Sequence, residues 1–333
     1  MQSTRDKLIK LLEQRKSEYV SGQVLSERLN ISRSAIWKHM KELEKDGYTI
    51  EGKPRKGYRI IASPHKMSEN TLRWGLHTEW LGKTIIHKTE VSSTQTLAHE
   101  AAQDGAKHGT VIIADEQTRG KGRMNRPWHS LKEKGIWISI LLRPNMLPML
   151  APQLTLLTAT VLADVIYEQT EVRPQIKWPN DILIDGKKMA GILTELQAEQ
   201  DQIQYVIIGI GMNINQTKTD LPKEIQQKAT SLRIETGTEW DLTQFTQQLL
   251  ETFERNYTSY KENGFSEVKH KWESYGFKIG QPISIQTMNR QWKATFSGIA
   301  DDGALLIKND DGSVEKLYSA EIDWFEKGAK NNE

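Results

Sequence analysis

Ile176-Lys-Trp-Pro-Asn-Asp-Ile-Leu-Ile184 runs into Asp185-Gly186, and Lys187-Lys-Met-Ala-Gly-Ile-Leu-Thr-Glu195 follows. An Asp-Gly pair between two apolar runs predicts a tight β-hairpin, because both turn positions tolerate positive φ. The hairpin makes Lys177 and Lys188 candidate inward cations on paired strands. A further strand is expected over 204–214, which contains Tyr-Val-Ile-Ile-Gly-Ile-Gly-Met-Asn-Ile. Gly209 and Gly211 leave one face of that strand bare, so either a ligand or a packed helix must approach it. Asn213, near its end, carries an amide able to pair with an edge such as that of adenine.

Working back along the chain, strands are expected over 135–142, 110–114 and 83–88, with a long apolar helix over 148–168. The 110–114 strand leads into Gln117-Thr-Arg-Gly-Lys-Gly-Arg-Met-Asn-Arg-Pro-Trp128. Arg119, Lys121, Arg123 and Arg126 crowd this stretch, and Gly120 and Gly122 let the backbone approach a ligand. Arg can meet an anion through two parallel hydrogen bonds. The spacing fits neither a Walker loop nor a dinucleotide fingerprint. So charged a loop is expected to be mobile until an anion arrives; a solvated basic loop is the competing reading. At 91–96, Val-Ser-Ser-Thr-Gln-Thr precedes a helix over 97–103, and its hydroxyls can either cap that helix or face a polar ligand. Further helices are expected over 70–77, 221–229, 241–262 and 264–274.

The first 62 residues read differently. Helices are expected over 4–15 and 22–29, and Ser32 caps a third. Ile36, Met40 and Leu43, spaced i, i+4, i+7, define the buried face of that third helix. Two strands, 48–51 and 57–61, flank a basic Gly-Lys-Pro-Arg-Lys turn. The order is that of a winged helix-turn-helix. Ser32, Arg33, Ser34 and Lys38 would meet base edges and phosphates, and Lys53, Arg55 and Lys56 would touch the DNA backbone or minor groove. Trp37 fits either the groove or the core, and is assigned here to the core. Residues 1–62 hold 14 Lys/Arg against 8 Asp/Glu, whereas the remainder holds 31 against 35. A basic head on a mildly acidic body favours DNA as the head's partner over a small protein-protein module.

From residue 278 the texture changes to short strands, 282–286, 291–299, 305–308 and 314–317, of a small SH3-sized β-barrel. Ser63-Pro64 marks a linker, and 328–333 a frayed end. With 333 residues, two or three domains are expected. No apolar run is expected to span a bilayer, and the start lacks the apolar core of a signal peptide. The chain has no cysteine, which removes disulfides and thiolate chemistry and suits a reducing cytoplasm.

Taken in order, these motifs resemble the bifunctional biotin–protein ligases that are also biotin-operon repressors. The resemblance spans almost the whole chain: the head, Ser-Ser-Thr-Gln, Gln-x-x-Gly-Lys-Gly-Arg-x-x-Arg-x-Trp, Lys-Trp-Pro-Asn-Asp, Lys-x-Ala-Gly-Ile-Leu and Gly-Ile-Gly-Met-Asn-Ile-Asn. Lys121 departs from it, since many members carry Arg there; the charge is kept and the bidentate fork lost.

The resemblance implies an α+β multidomain chain. Its parts are a winged helix-turn-helix (1–63), a central α/β mixed-sheet ligase domain of class II synthetase type (64–276), an SH3-like β-barrel (277–327) and the tail. It implies that biotin and ATP form biotinyl-5′-AMP, with Mg²⁺ on the phosphates. Biotin then passes to a lysine of the biotin carboxyl carrier protein subunit of acetyl-CoA carboxylase, or of another biotin-dependent carboxylase. It further implies a homodimer that binds operator DNA when biotinyl-AMP is held.

Carried onto this sequence, Arg123 and Lys188 hold carboxylate and α-phosphate, with Lys121 as helper. Ser93, Thr94, Gln95, Gln117, Gly122, Gly209 and Gly211 complete the biotin pocket. Arg126, Trp128 and Asn213 serve the nucleotide, and Asn180 and Asp181 the metal. A lipoate-type ligase and a non-catalytic ligand-sensing repressor are the alternatives.

Overall fold

A computed structural model describes residues 4–13, 18–45, 47–62, 67–287, 290–318 and 320–325. The linker at 63–64, the end of the first expected helix and the frayed tail lie outside these described residues.

Helices α1 (Thr4–Glu13), α2 (Gly22–Leu29) and α3 (Arg33–Lys45) precede a two-stranded wing, β1 (Thr49–Lys53) and β2 (Gly57–Ala62). Leu8, Leu12, Leu25, Ile36, Met40 and Leu43 are buried together. Each such side chain contributes roughly 1.5–3 kcal/mol on leaving water. Ser21 and Ser32 cap α2 and α3 through their hydroxyls. Gly57 opens β2 at φ +111, where a Cβ would lie 2.0 Å from the Val20 carbonyl oxygen. Trp37 corrects the sequence reading, because it is 56 % exposed and outside the core. One residue past Ile36, it is turned away from the Ile36, Met40, Leu43 stripe and shares the outer face with Arg33, Ser34 and Lys38.

The next helix, α4 (Glu69–Gly75), ties head to body. Its Trp74 packs in the head core, 5.4 Å from the Tyr48 ring, while Leu72 packs in the central core. The Gln247 amide donates to the carbonyls of Thr71 and Leu72, both at 2.9 Å.

The body follows as β3 (Ile85–Val91), α5 (Thr94–Gln103), β4 (Thr110–Lys121), β5 (Pro127–Ser130), β6 (Gly135–Leu142), α6 (Pro152–Thr170), β7 (Gln175–Lys177), β8 (Asp181–Ile184), β9 (Lys187–Glu199), β10 (Gln202–Asn213), α7 (Leu232–Thr236), α8 (Leu242–Asn263) and α9 (Ser266–Tyr275). The strands form one mixed sheet in the order β3-β4-β6-β10-β9-β8-β7, with β5 paired to β4. Only the β3–β4 ladder, joined by the α5 crossover, is parallel. On β10, Val206, Ile208, Ile210 and Met212 face the main core under α6 and α8, whereas Ile207 faces the smaller core under α5. Gly209 and Gly211 continue that second face beyond α5.

Three expectations change. Residues 221–229 form turns instead of a helix, because their backbone is used elsewhere: Lys188 N–H donates to the Lys228 carbonyl at 2.8 Å and Thr230 N–H to the Lys188 carbonyl at 2.9 Å. Lys177 and Lys188 lie on β7 and β9, which flank β8 and do not pair with each other. Finally, Pro148–Thr170 is long and apolar enough to cross a membrane, with mean hydropathy 1.6. Its most apolar window is 72 % buried inside the protein, which accounts for that apolarity as core packing.

The last part is a five-stranded antiparallel sheet: β11 (Pro282–Gln286), β12 (Gln291–Ile299), β13 (Leu305–Lys308), β14 (Val314–Leu317) and β15 (Glu321–Asp323), in the order β14-β13-β12-β11-β15. The three-residue β15 is additional to the four strands expected. Phe296 meets Trp272 of α9 edge-on, and the Trp178 indole donates to the Gly303 carbonyl at 3.2 Å, so this sheet shares the central core.

Candidate functional site

Strand register assembles the site. Lys177 pairs with Asp181, Asp181 with Gly191, Gly191 with Gly211, and Gly211 with Trp137. Paired residues share a face, so these five form a row across five strands on the α5 side of the sheet. Its two glycines make room for the Trp128 indole, and in the next row, Ser139–Gly209–Leu193, Gly209 makes room for Gln95 of α5. Above lies a cavity of about 1060 Å³, roofed by Thr287, Glu321, Ile322 and Trp324 of the C-terminal sheet. That is the size of a site for a nucleotide and a second small substrate.

At one end the cations converge on a carboxylate. Asp181 is buried, and its oxygens lie 2.6 Å from Lys188 Nζ and 3.0 Å from Lys177 Nζ. Burial alone would push the Asp181 carboxyl up; the two ammonium groups outweigh it and hold the carboxyl below its usual range. Lys188 Nζ also stands 5.1 Å from the Trp128 ring centroid, a cation–π contact. Arg123 Nη1 reaches the Asn180 side-chain oxygen at 3.4 Å. Burial lowers the Arg123 pKa, and nearby Asp181 opposes that fall.

The depressed Asp181 pKa fixes a pH dependence. Its stabilisation is fully present above the unfolded-state value of about 3.8 and is lost as pH falls through the lower folded value. Asp181→Asn should cost roughly 1–3 kcal/mol at pH 7, less than a fully buried pair because Lys188 remains partly solvated. Denaturant unfolding of both proteins at pH 7 and pH 3 should show the gap closing at the lower pH.

At the other end, apart from Lys121 beside Thr96, the groups are polar and uncharged. Gln117 Oε1 accepts from the Thr94 N–H (2.8 Å) and hydroxyl (3.1 Å), and its amide donates to Ser130 Oγ at 2.7 Å. Ser139 Oγ lies 2.9 Å from Thr94 Oγ1 and 3.1 Å from Gln95 Oε1. Ser93, at the N-cap of α5, makes no capping bond, and its buried hydroxyl has no partner among the described residues. At a cavity wall such a hydroxyl is free to bond a bound molecule.

The basic stretch 117–128 is a β-hairpin rather than a free loop. Its first half continues β4, a turn containing Arg123 follows, and Pro127 and Trp128 return as β5. Gly120 is needed there, since a Cβ would lie 2.4 Å from the Trp128 carbonyl oxygen. Lys121, Gly122 and Arg126 line the cavity, and Lys121 Nζ lies 3.3 Å from the Thr96 hydroxyl. The bare glycine face is not empty. Gln95 covers Gly209, and the Trp128 indole covers Gly191 and Gly211, with its Nε1 buried and unpartnered.

Two expectations fail here. Asn213 does not line the cavity, because its amide donates to the Thr230 carbonyl at 3.0 Å and accepts from Gln216 at 3.1 Å. Asn180 and Asp181 do not form a metal site. Both Asp181 oxygens are taken by ammonium groups, and the Asn180 amide donates to the Ile192 carbonyl at 2.6 Å. Among the described residues no group of three or more His, Asp or Glu gathers elsewhere to hold a metal. Three kinds of residue at the site were missed. Ser139, which does not itself line the cavity but bonds the lining residues Thr94 and Gln95, had a signal, being the lone polar residue of the 135–142 run. Trp178 sat within a quoted motif without a role. Glu321, Ile322 and Trp324 had none, because they arrive across domains.

On the head, Ser32, Arg33, Ser34 and Lys38 are exposed along α3, and Arg55 and Lys56 at the wing tip. Ser32 is partly spent on capping, and its oxygen lies 2.9 Å from that of Ser34. Lys53 is paired to Glu51 at 3.1 Å, so the wing cations without an ion pair among the described residues are Arg55 and Lys56.

A cation-rimmed cleft on a mixed sheet, carried behind a helix-turn-helix head, defines the class: a ligase-type catalytic body fused to a DNA-binding domain. Residues 88–213 match the biotin/lipoate A/B protein ligase family, 4–59 a helix-turn-helix domain and 278–324 the biotin protein ligase C-terminal domain. The bifunctional ligase/repressor BirA of Bacillus subtilis is 46% identical over 97% of this chain and 99% of its own length. Its Escherichia coli counterpart is 27% identical over 95% of each. A biotin protein ligase from Aquifex aeolicus, solved with biotin and ATP, matches at TM-score 0.62 and 32% identity, over 72% of this chain and 98% of that one. The chain belongs to the bifunctional biotin ligase/repressor family.

Proposed function

We propose that the cleft joins biotin to ATP, forming biotinyl-5′-AMP, and passes biotin to a lysine of a carboxylase's biotin carrier subunit. The observation that carries this is the opposition of two ends of one cavity: Arg123 and Lys188 at one, and the neutral Ser93, Thr94, Gln95 and Gln117 at the other. A neutral heterocycle with both donors and acceptors suits the second end, and the meeting of two anions suits the first. A biotin carboxylate oxygen attacks the α-phosphorus, the bond to the bridging oxygen breaks, and pyrophosphate leaves. The carrier lysine then attacks the acyl carbon as a neutral amine; AMP leaves and the amine proton passes to solvent. Cations already in place stabilise the charge on phosphorus without reorganising. Mg²⁺ would enter as part of the ATP complex, on phosphate oxygens, with no ligand assigned to this chain.

The remaining assignments extend the same reading. Residues 1–63 bind operator DNA of biotin genes, 64–276 hold the cleft and 277–327 roof it. Biotinyl-AMP steadies the 117–128 hairpin and favours a homodimer, which presents two heads to a two-fold operator. The absence of cysteine supports a cytoplasmic setting. Incubation with ATP, radiolabelled biotin and an apo carrier domain should label the carrier. No label with intact ligand-dependent DNA binding would make this a sensor. ATP–pyrophosphate exchange driven by lipoate rather than biotin would make it a lipoate ligase.

A further inference from the structure

We propose that Trp37 reads operator sequence, with its indole packing in the major groove on the 5-methyl group of a thymine. This rests on the DNA-binding reading of the head. On α3 the buried positions are Ile36, Met40 and Leu43, and the opposite strip is Arg33, Ser34, Trp37, Lys38 and Lys41, all exposed. Trp37 is at the centre of that strip, 56 % exposed. It is absent from the apolar cluster that holds the head together, so its indole is not accounted for by folding. Among the described residues of the head, the other exposed large apolar side chain, Ile61, lies on the wing strand β2.

The surroundings of the ring select its partner. Arg33 and Lys38 beside it, and Arg55 and Lys56 on the wing, form no ion pair among the described residues. A large apolar plane framed by unpaired cations is complementary to a polyanion with apolar groups in its groove. In the major groove, base edges offer one apolar group, the thymine methyl, beside acceptors that an indole N–H can meet. Trp37 is the fifth residue of α3, about 6 Å along the axis from Arg33. It therefore lies in the N-terminal half, where recognition helices meet base edges. Phosphate contacts by the cations would set affinity and register, and Trp37 would add sequence preference.

The test uses the full chain with biotin and ATP, and duplexes selected by it from a pool with a randomised centre. Trp37→Ala should bind the selected duplex about 10–100-fold more weakly, the effect of one lost base contact. Its affinity for random-sequence DNA and its log K against log salt slope should match the parent, since no phosphate contact is removed. Replacing thymines one at a time by deoxyuridine should weaken the parent at one position in each half-site, and Trp37→Ala should be indifferent there. Trp37→Phe, which keeps an apolar plane, should lie between them. Should Trp37→Ala misfold, the deoxyuridine scan on the parent and on Trp37→Phe still decides the matter. Equal affinity of Trp37→Ala for the selected duplex, equal loss on selected and random DNA, or a thymine scan without effect on the parent would each overturn the inference while leaving DNA binding standing. A parent chain that binds no DNA would remove the DNA-binding reading and this inference with it, and one that binds DNA but selects no sequence would overturn this inference alone.

Discussion

Lys188→Ala should slow biotinyl-adenylate formation by roughly 10²–10³-fold, and Arg123→Ala by a similar factor, the usual consequence of removing one preorganised group at a developing charge. The reaction brings a carboxylate against a phosphate. At about 4 Å and an effective dielectric near 20, that repulsion is ~4 kcal/mol before any bond changes. Lys188 can offset it from a fixed position: Asp181 holds its ammonium at 2.6 Å and the Trp128 ring lies beneath. The side chain is thus ordered before substrate arrives, and little entropy is lost on binding. Loss of Lys188 leaves Asp181 paired with Lys177, so the fold survives and the defect falls on chemistry. Single-turnover conversion of α-labelled ATP measures the step directly. Arg123→Ala should also shorten the half-life of bound adenylate, because its guanidinium can span carboxyl and phosphate oxygens together. Rates within threefold of the parent in both variants would remove these residues from the mechanism; an unchanged adenylate half-life would remove the second role of Arg123.

Local order was largely legible, and spatial order less so. The strand at Gly135–Leu142 has the expected bounds because an unbroken β-rich run lies between turn residues. The α3 core face followed from spacing alone, yet Trp37 was misassigned, because size and apolarity were weighed above its angle on the same helix. The 221–229 segment has helix-forming residues, but its backbone bonds to β9 across the chain, which propensity cannot reveal. The motif lysines were visible as cations; their shared carboxylate was not, since Asp181 sat in a turn-like Pro-Asn-Asp context. The row from Lys177 to Trp137 exists only through register between strands distant in sequence. The roof from the C-terminal sheet likewise has no motif, as it needs only shape.

Gly211→Val should cost at least about 100-fold in adenylate formation, as expected when a catalytic group is displaced by an ångström or so. At this glycine a Cβ would lie 2.5 Å from two indole atoms of Trp128. β10 cannot yield, because it is paired on both sides, to β6 and β9, so the indole must leave. Its departure removes the surface beneath Lys188 and exposes the neighbouring Gly191, whose own Cβ position is 3.1 Å from both Trp128 and Lys188. One methyl-bearing carbon therefore disturbs the hairpin that carries Arg123 and the strand that carries Lys188 at once. Overpacking of this kind costs roughly 1–3 kcal/mol of stability. The clash is with one side chain, which makes the effect separable by a double-mutant cycle. Trp128→Ala should make Gly211→Val much less destabilising, a coupling of about 1–3 kcal/mol, while leaving adenylate formation impaired because the indole is still missing. Additive stability effects, or normal adenylation by Gly211→Val alone, would mean that Trp128 does not rest on this glycine pair in the working enzyme.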